Sequence, residues 1–164
     1  MEGFLSNAKS RLDAKGRVSI PAAFRAVLAR DGFDGLYVHP SLDEEAVDCG
    51  GNALLAEIHD LLGRLSPYSE ERDMFSTVLL GTSEILKIDS EGRVVLSESI
   101  KAHAGISTEV TFVGQGNKFQ IWEPGRFLAH LAEAKSRLHD FRKQLSARHV
   151  APEVPPPRSH GARE

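Results

Sequence analysis

The stretch Leu12-Asp13-Ala14-Lys15-Gly16-Arg17-Val18-Ser19-Ile20 returns 76 positions later as Ile88-Asp89-Ser90-Glu91-Gly92-Arg93-Val94-Val95-Leu96, with Asp, Gly and Arg in identical places. The match extends outward: Arg11 faces Lys87, and Pro21-Ala22-Ala23-Phe24 faces Ser97-Glu98-Ser99-Ile100. Leu36-Tyr37-Val38-His39-Pro40 resembles Phe119-Gln120-Ile121-Trp122-Glu123-Pro124 after a short insertion. The chain therefore contains one module twice. Modules of about 45 residues are too small to bury a good core separately, so the two copies are expected to share one, as paired halves of a closed or interlocked sheet.

Each copy reads as strand, turn, strand, short helix, then a further strand or hairpin. Asp13 and Asp89 can accept hydrogen bonds from a turn backbone, and Gly16 and Gly92 can take the positive φ that other residues avoid. Val18 and Ile20 alternate as a half-buried strand requires. Pro21 suits the first position of a helix over 22–29, Ser97 is a good N-cap, and Gly105 is a good helix stop. Val110 to Val113 and Phe119 to Trp122 form a hairpin across Gly114-Gln115-Gly116-Asn117-Lys118, with Trp122 in the core. Between the copies, Leu54, Leu55, Ile58, Leu61, Leu62 and Leu65 trace the apolar stripe of a helix broken at Ser66-Pro67, and a second helix is expected from Ser69 to Leu80. Phe127, Leu128, Leu131, Leu138, Phe141 and Leu145 repeat such a stripe on a long helix starting near Pro124-Gly125. The fold class expected is α+β and strand-rich, arranged as a first module at 5–52, a helical linker at 53–81, a second module at 82–125, a C-terminal helix at 126–147 and a disordered Pro-rich tail at 148–164.

Composition narrows the function. No segment approaches the roughly 20 apolar residues of a membrane span. The single cysteine, Cys49, excludes an internal disulfide, and no grouped Cys/His spacing is present for zinc, so a reducing cytoplasm fits best. A net charge of −3 argues mildly against nucleic acid, but the charge is segregated. Residues 1–30 carry six Lys/Arg against two Asp/Glu, residues 31–100 four against fifteen, and residues 101–164 ten against six. Such segregation lets one surface meet a polyanion while another repels it.

The residues singled out are Arg17 and Arg93, each four positions after an Asp and one after a turn glycine. The spacing equally admits a structural staple in which Asp13 and Asp89 only brace the turns. An exposed ion pair stabilises little, which is a weak reason to build the pair twice. An arginine at the base of a rigid turn offers a fixed fork of donors suited to phosphate or to the O6/N7 edge of guanine. Lys9 and Arg11, then Lys15 and Arg17, share faces of an extended chain, as in a two-stranded basic ribbon for a groove. Glu91 stands where Lys15 stands in the first copy, so the first copy is expected to dominate binding.

Other signals carry less. Asp43, Glu44, Glu45 and Asp48 read as a solvated acidic stretch in a linker from Ser41 to Gly51 rather than a metal site, and the seven histidines lack HxxxH or HExxH spacing. Gly114-Gln115-Gly116 lacks the third glycine of a dinucleotide loop. No catalytic residue, cofactor, metal or small-molecule substrate is expected. A rival reading is an oligomeric interaction scaffold held together by the Asp-Arg turns.

The two turns, Asp13 to Arg17 and Asp89 to Arg93, resemble the duplicated DxxxR signature of the MraZ family of bacterial transcriptional regulators. Val113-Gly114-Gln115-Gly116-Asn117-Lys118-Phe119-Gln120-Ile121-Trp122 resembles its VGQxNKFExW segment, and His103-Ala104-Gly105-Ile106 its HAGL. The resemblance, from Phe4 to about His149, implies a duplicated AbrB-type swapped-hairpin β-barrel with peripheral helices and a ring-shaped homo-oligomer. It also implies a cytoplasmic, nucleoid-associated repressor of division and cell-wall genes whose Arg17 and Arg93 contact double-stranded DNA at short direct repeats. A ring has a physical reason too. One basic tip neutralising about two phosphates gives a salt slope of only about −2. Linked tips on repeated boxes raise avidity by about 10² to 10⁴.

Overall fold

The computed structural model describes residues 3–149, and the expected Pro-rich tail lies outside them except for its first two positions, which end a helix. In chain order the elements are β1 (Asn7–Arg11), β2 (Arg17–Ser19), α1 (Ala22–Asp31), β3 (Leu36–Pro40), β4 (Val47–Gly50), α2 (Asn52–Gly63), α3 (Glu70–Ser76), β5 (Glu84–Leu86), β6 (Arg93–Val95), α4 (Glu98–Ala104), β7 (Glu109–Gly114), β8 (Phe119–Trp122) and α5 (Pro124–His149). The architecture is α+β, with antiparallel strand pairs throughout.

The pairing is an exchange between the copies. The first strand of each copy pairs with the third strand of the other, Ser10 opposite Val110 and Leu86 opposite Leu36. The second strands pair with each other, Val18 opposite Val94. The fourth strands do the same, Asp48 opposite Gln120. Within a copy only the hairpins β3–β4 and β7–β8 form. A pseudo-two-fold axis therefore passes between Val18 and Val94 at one place and between Asp48 and Gln120 at the other. Six strands run in the order β1-β7-β8-β4-β3-β5, and β2 with β6 makes a separate two-stranded ribbon.

This symmetry corrects one expected correspondence. Leu36–Pro40 occupies the place of β7, not of Phe119–Trp122, because β3 and β7 pair with the partner copy's first strand. The counterpart of β8 is β4, Val47–Gly50, which lies inside the acidic stretch read as linker. That stretch lacks the Val/Ile/Tyr run by which strands are recognised, and its pairing is supplied by neighbours distant in sequence.

Alternation assigns the faces of the large sheet. Leu36, Val38, Val47, Cys49, Val110, Phe112, Phe119 and Ile121 point into one core with Val18, Ile20, Val94 and Leu96 from the turn strands. Phe24 and Ile100, equivalent positions of α1 and α4, close it. The rings of Phe4 and Phe24 from the first copy meet Phe119 of the second at 4.9 and 5.0 Å, so the core belongs to neither copy alone. Burying each such ring contributes about 1.5–3 kcal/mol. The opposite face carries Tyr37, covered by Leu54, Ile58 and Leu62 of α2 and by Leu79.

Local signals set the helix ends. Ser97 accepts the backbone N–H of Ile100 at 3.2 Å, and Ser69 does the same for Arg72. Gly105 ends α4 in the left-handed conformation, φ 67°. Pro21 sits one position earlier than expected, at the N-cap with ψ 140°, since its carbonyl must accept from Phe24 and Arg25. The second linker helix is shorter than expected: α3 ends at Ser76 and passes into a π-helical turn over Thr77–Gly81. The chain divides after Phe127 into two compact units, the second being the continuation of α5. Taken by itself, that continuation leaves Leu128, Leu138, Phe141 and Leu145 exposed.

Candidate nucleic-acid interface

Asp13 organises the first turn by itself. Its Oδ1 accepts the backbone N–H groups of Lys15 and Arg17, both at 2.9 Å, and its Oδ2 accepts Arg17 Nε at 2.6 Å. Asp89 repeats this with Glu91 and Arg93, the Nε bond being 2.9 Å. The carboxylates are held below their ordinary range, chiefly by the backbone N–H of Arg17 and Arg93 respectively. Gly16 and Gly92 take φ of 76° and 78°, which a side chain would strain. Each turn is locked to the other copy: Ile20 N–H donates to Gly92 O and Leu96 N–H to Gly16 O.

The arginines thus sit on the ribbon formed by β2 and β6. Val18 and Val94 face inward, each 1% exposed. Alternation places Arg17, Ser19, Arg93 and Val95 on the opposite face. The two guanidinium side chains, 29% and 26% exposed, reach solvent on either side of the pseudo-dyad. The bracing of the staple reading is therefore present, Asp occupying the Nε edge of each guanidinium, and both side chains keep part of their surface exposed. Arg17 has no other ion pair among the described residues, whereas Arg93 Nη2 also meets Glu91 at 3.3 Å. Hydrogen bonding to Asp89 raises the pKa of Arg93 further.

The expected basic cluster divides. Lys15 lies exposed on the first turn beside Arg17. Lys9 and Arg11 belong to β1, which pairs with β7 instead of β2, so the expected ribbon of β1 and β2 does not form. Lys9 Nζ lies 3.7 Å from Glu109. A tight turn alone could have paired β1 with β2; strand exchange gives both better partners.

Two further cations stand at the turns. Arg25 of α1 lies over Gly92, its Cδ where a Cβ would be, and Lys101 of α4 lies by Gly16, Nζ 4.0 Å from the corresponding position. They occupy equivalent positions of the two copies. Their sequence signal was present, since Phe24 and Ile100 align, but a helix residue reaching the other copy's turn requires the exchanged pairing.

Elsewhere the site-like features are structural. Asp48, read as part of a solvated stretch, is 5% exposed. Burial raises its pKa, yet donors from Ser41, Gln120 and Lys118 bring it below the ordinary value. Lys118 Nζ lies 2.9 Å from its Oδ2. Cys49 is buried, and burial pushes its thiol well up. Among the described residues there is no group of three or more His, Cys, Asp or Glu placed to hold a metal ion, and no helix long and apolar enough to cross a membrane.

A family model described as "MraZ protein, putative antitoxin-like" matches residues 78–148, which includes the second turn. A protein of Beijerinckia indica named transcriptional regulator MraZ is 75% identical to this chain over 164 residues, all of both chains. One of Methylocella silvestris with the same name is 72% identical, again over all of both. A third, from Xanthobacter autotrophicus, is 58% identical over 90% of this chain and 94% of its own. Relatives of this identity, matched over the full length of both chains, place the chain in the MraZ family.

Proposed function

We propose that the chain is a sequence-specific DNA-binding regulator of transcription that offers the outer face of the β2–β6 ribbon to a duplex. The observation that carries this is the geometry of Arg17: Asp13 holds Nε, the turn backbone holds the strand, and the partly exposed guanidinium makes no ion pair through its two Nη groups among the described residues. A guanidinium braced in that way loses little freedom on binding a phosphate or a guanine edge. Arg93 provides the same group across the pseudo-dyad, and Lys15 adds charge at the first tip. The name borne by the relatives, a transcriptional regulator, supports the reading.

The exchange of strands between the copies supports an AbrB-type swapped-hairpin barrel. The chain itself is the further partner: a ring-shaped homo-oligomer would present several ribbons to short direct repeats upstream of division and cell-wall genes, acting as a repressor on the nucleoid of the cytoplasm. Closure by repeated head-to-tail contacts turns weak single tips into firm binding. Lys9 and Arg11, on β1, would contribute to the field around the site more than to contacts in it.

The test is a gel shift with the duplex upstream of the protein's own gene at two salt concentrations. Arg17→Ala should abolish specific binding and leave the oligomer intact by gel filtration. Unchanged binding would reject the site. A second reading, an oligomeric scaffold in which the turns are interface staples, draws on Val95, which is 53% exposed on the same face. It requires Arg17→Ala to disperse the oligomer first.

A further inference from the structure

We infer that Arg25, carried by the first copy, is a phosphate-contacting residue of the second copy's turn; this rests on the DNA-binding reading above. The second turn is electrostatically poorer than the first. Glu91 takes the position of Lys15 and draws Arg93 Nη2 toward itself at 3.3 Å. Left alone, this tip would repel a polyanion. Arg25 lies against that same turn, with Cδ, Nη1 and Nε all crowding the position a Gly92 Cβ would occupy. A side chain at 92 would displace the guanidinium from this place. Arg25 Nε donates to Ile20 O at 3.1 Å, which anchors the guanidinium at the ribbon's end. Among the described residues Arg25 makes no ion pair, and it is exposed.

Its counterpart behaves differently. Lys101, at the equivalent place by Gly16, is held by Glu98 at 2.8 Å. The first turn thus has its own cations and a neutralised helper. The second has a neutralised arginine and an unpaired helper. Arg25 thereby supplies the charge that Glu91 removes, and each end of the ribbon carries a guanidinium whose Nη groups make no ion pair among the described residues.

The experiment measures fluorescence anisotropy of the full-length protein on the duplex from upstream of its own gene, across a KCl series, with an unrelated duplex as control. Arg25→Ala and Arg25→Gln should each reduce the slope of log Kobs against log salt by about 1 per subunit engaged, and weaken binding about tenfold at low salt. Arg25→Lys should retain the slope. Arg30→Ala removes the same charge from the same helix and should change little. If Arg25→Ala leaves slope and affinity at the wild-type values, or if Arg30→Ala matches it, the inference is wrong. Melting curves identify a variant that has lost its fold, and then the Gln and Lys variants decide. If the wild-type protein itself fails to prefer its upstream duplex, the DNA-binding reading falls, and this inference with it.

Discussion

The two Asp-Arg turns have one backbone and two electrostatic characters. Both carboxylates collect two backbone N–H groups at 2.9 Å and one Nε, and both glycines adopt nearly the same φ. The difference is the residue midway along the loop, Lys15 in one copy and Glu91 in the other, whose backbone N–H donates to the turn aspartate in both. Its backbone N–H does the structural work; its side chain is free to vary. Duplication therefore gives a chain two interchangeable scaffolds and lets the charge of each tip diverge without cost to the fold. The pseudo-dyad's other crossing has diverged more. There Asp48 and Gln120 face each other and bond at 2.8 Å, an unlike pair flanked at equivalent positions by Ser41 and Gln115, while Lys118 adds a cation on the Asp48 side alone.

The two turns should respond differently to substitution. The largest effect expected is on DNA: Arg17→Ala should weaken binding to the upstream duplex by at least about 100-fold when several linked tips lose the contact, and Arg93→Ala by about tenfold. An equal loss from both, read by gel shift, would erase the distinction between the turns. Glu91→Lys should do the reverse, steepening the salt slope by about 1 per tip and raising affinity several-fold, because it frees Arg93 Nη2 and adds a cation. Gly16→Ala and Gly92→Ala should each destabilise by about 1–2 kcal/mol through left-handed strain. Gly92→Ala should in addition displace Arg25, whereas at Gly16 the nearest atom is 3.9 Å off, so the two should match in stability and differ in salt slope. Thermal melts and salt titrations of the two variants check this.

The smallest effect expected is acid loosening, and it should be alike in both turns. Asp13 and Asp89 have folded pKa values lowered from 3.8, so the stability they contribute is complete above that value and is lost as pH falls through the folded values. The Arg17 and Arg93 amide resonances should therefore shift together, with midpoints below 3.8. A midpoint above that, or a shift in only one turn, would contradict the shared geometry.

Much of this was legible in the residues. The turn, its aspartate acceptor, its glycine and the helix cap at Ser97 are decided within a few residues, because their hydrogen bonds close over short loops. The hairpin over Val110 to Trp122 and the amphipathic helices follow from apolar periodicity. The strand at Val47–Gly50 was hidden in an acidic stretch, since Asp48 enters the interior only with Lys118, Gln120 and Ser41 to receive it. Arg25 and Lys101 were hidden as well, because ordinary helix cations say nothing about which turn they overlie.

By itself the sequence determined the modules, their number and the local geometry that presents each arginine. The tertiary structure alone decided which strands meet. Ladder hydrogen bonds join backbone groups that every residue possesses, so a sequence carries little record of its distant partner. β1 and β2, adjacent in the chain, each found a partner more than 70 residues away. The cause is the shared core: only exchanged pairing places Phe4, Phe24, Phe112 and Phe119 around one centre, and with it both guanidinium groups on one face.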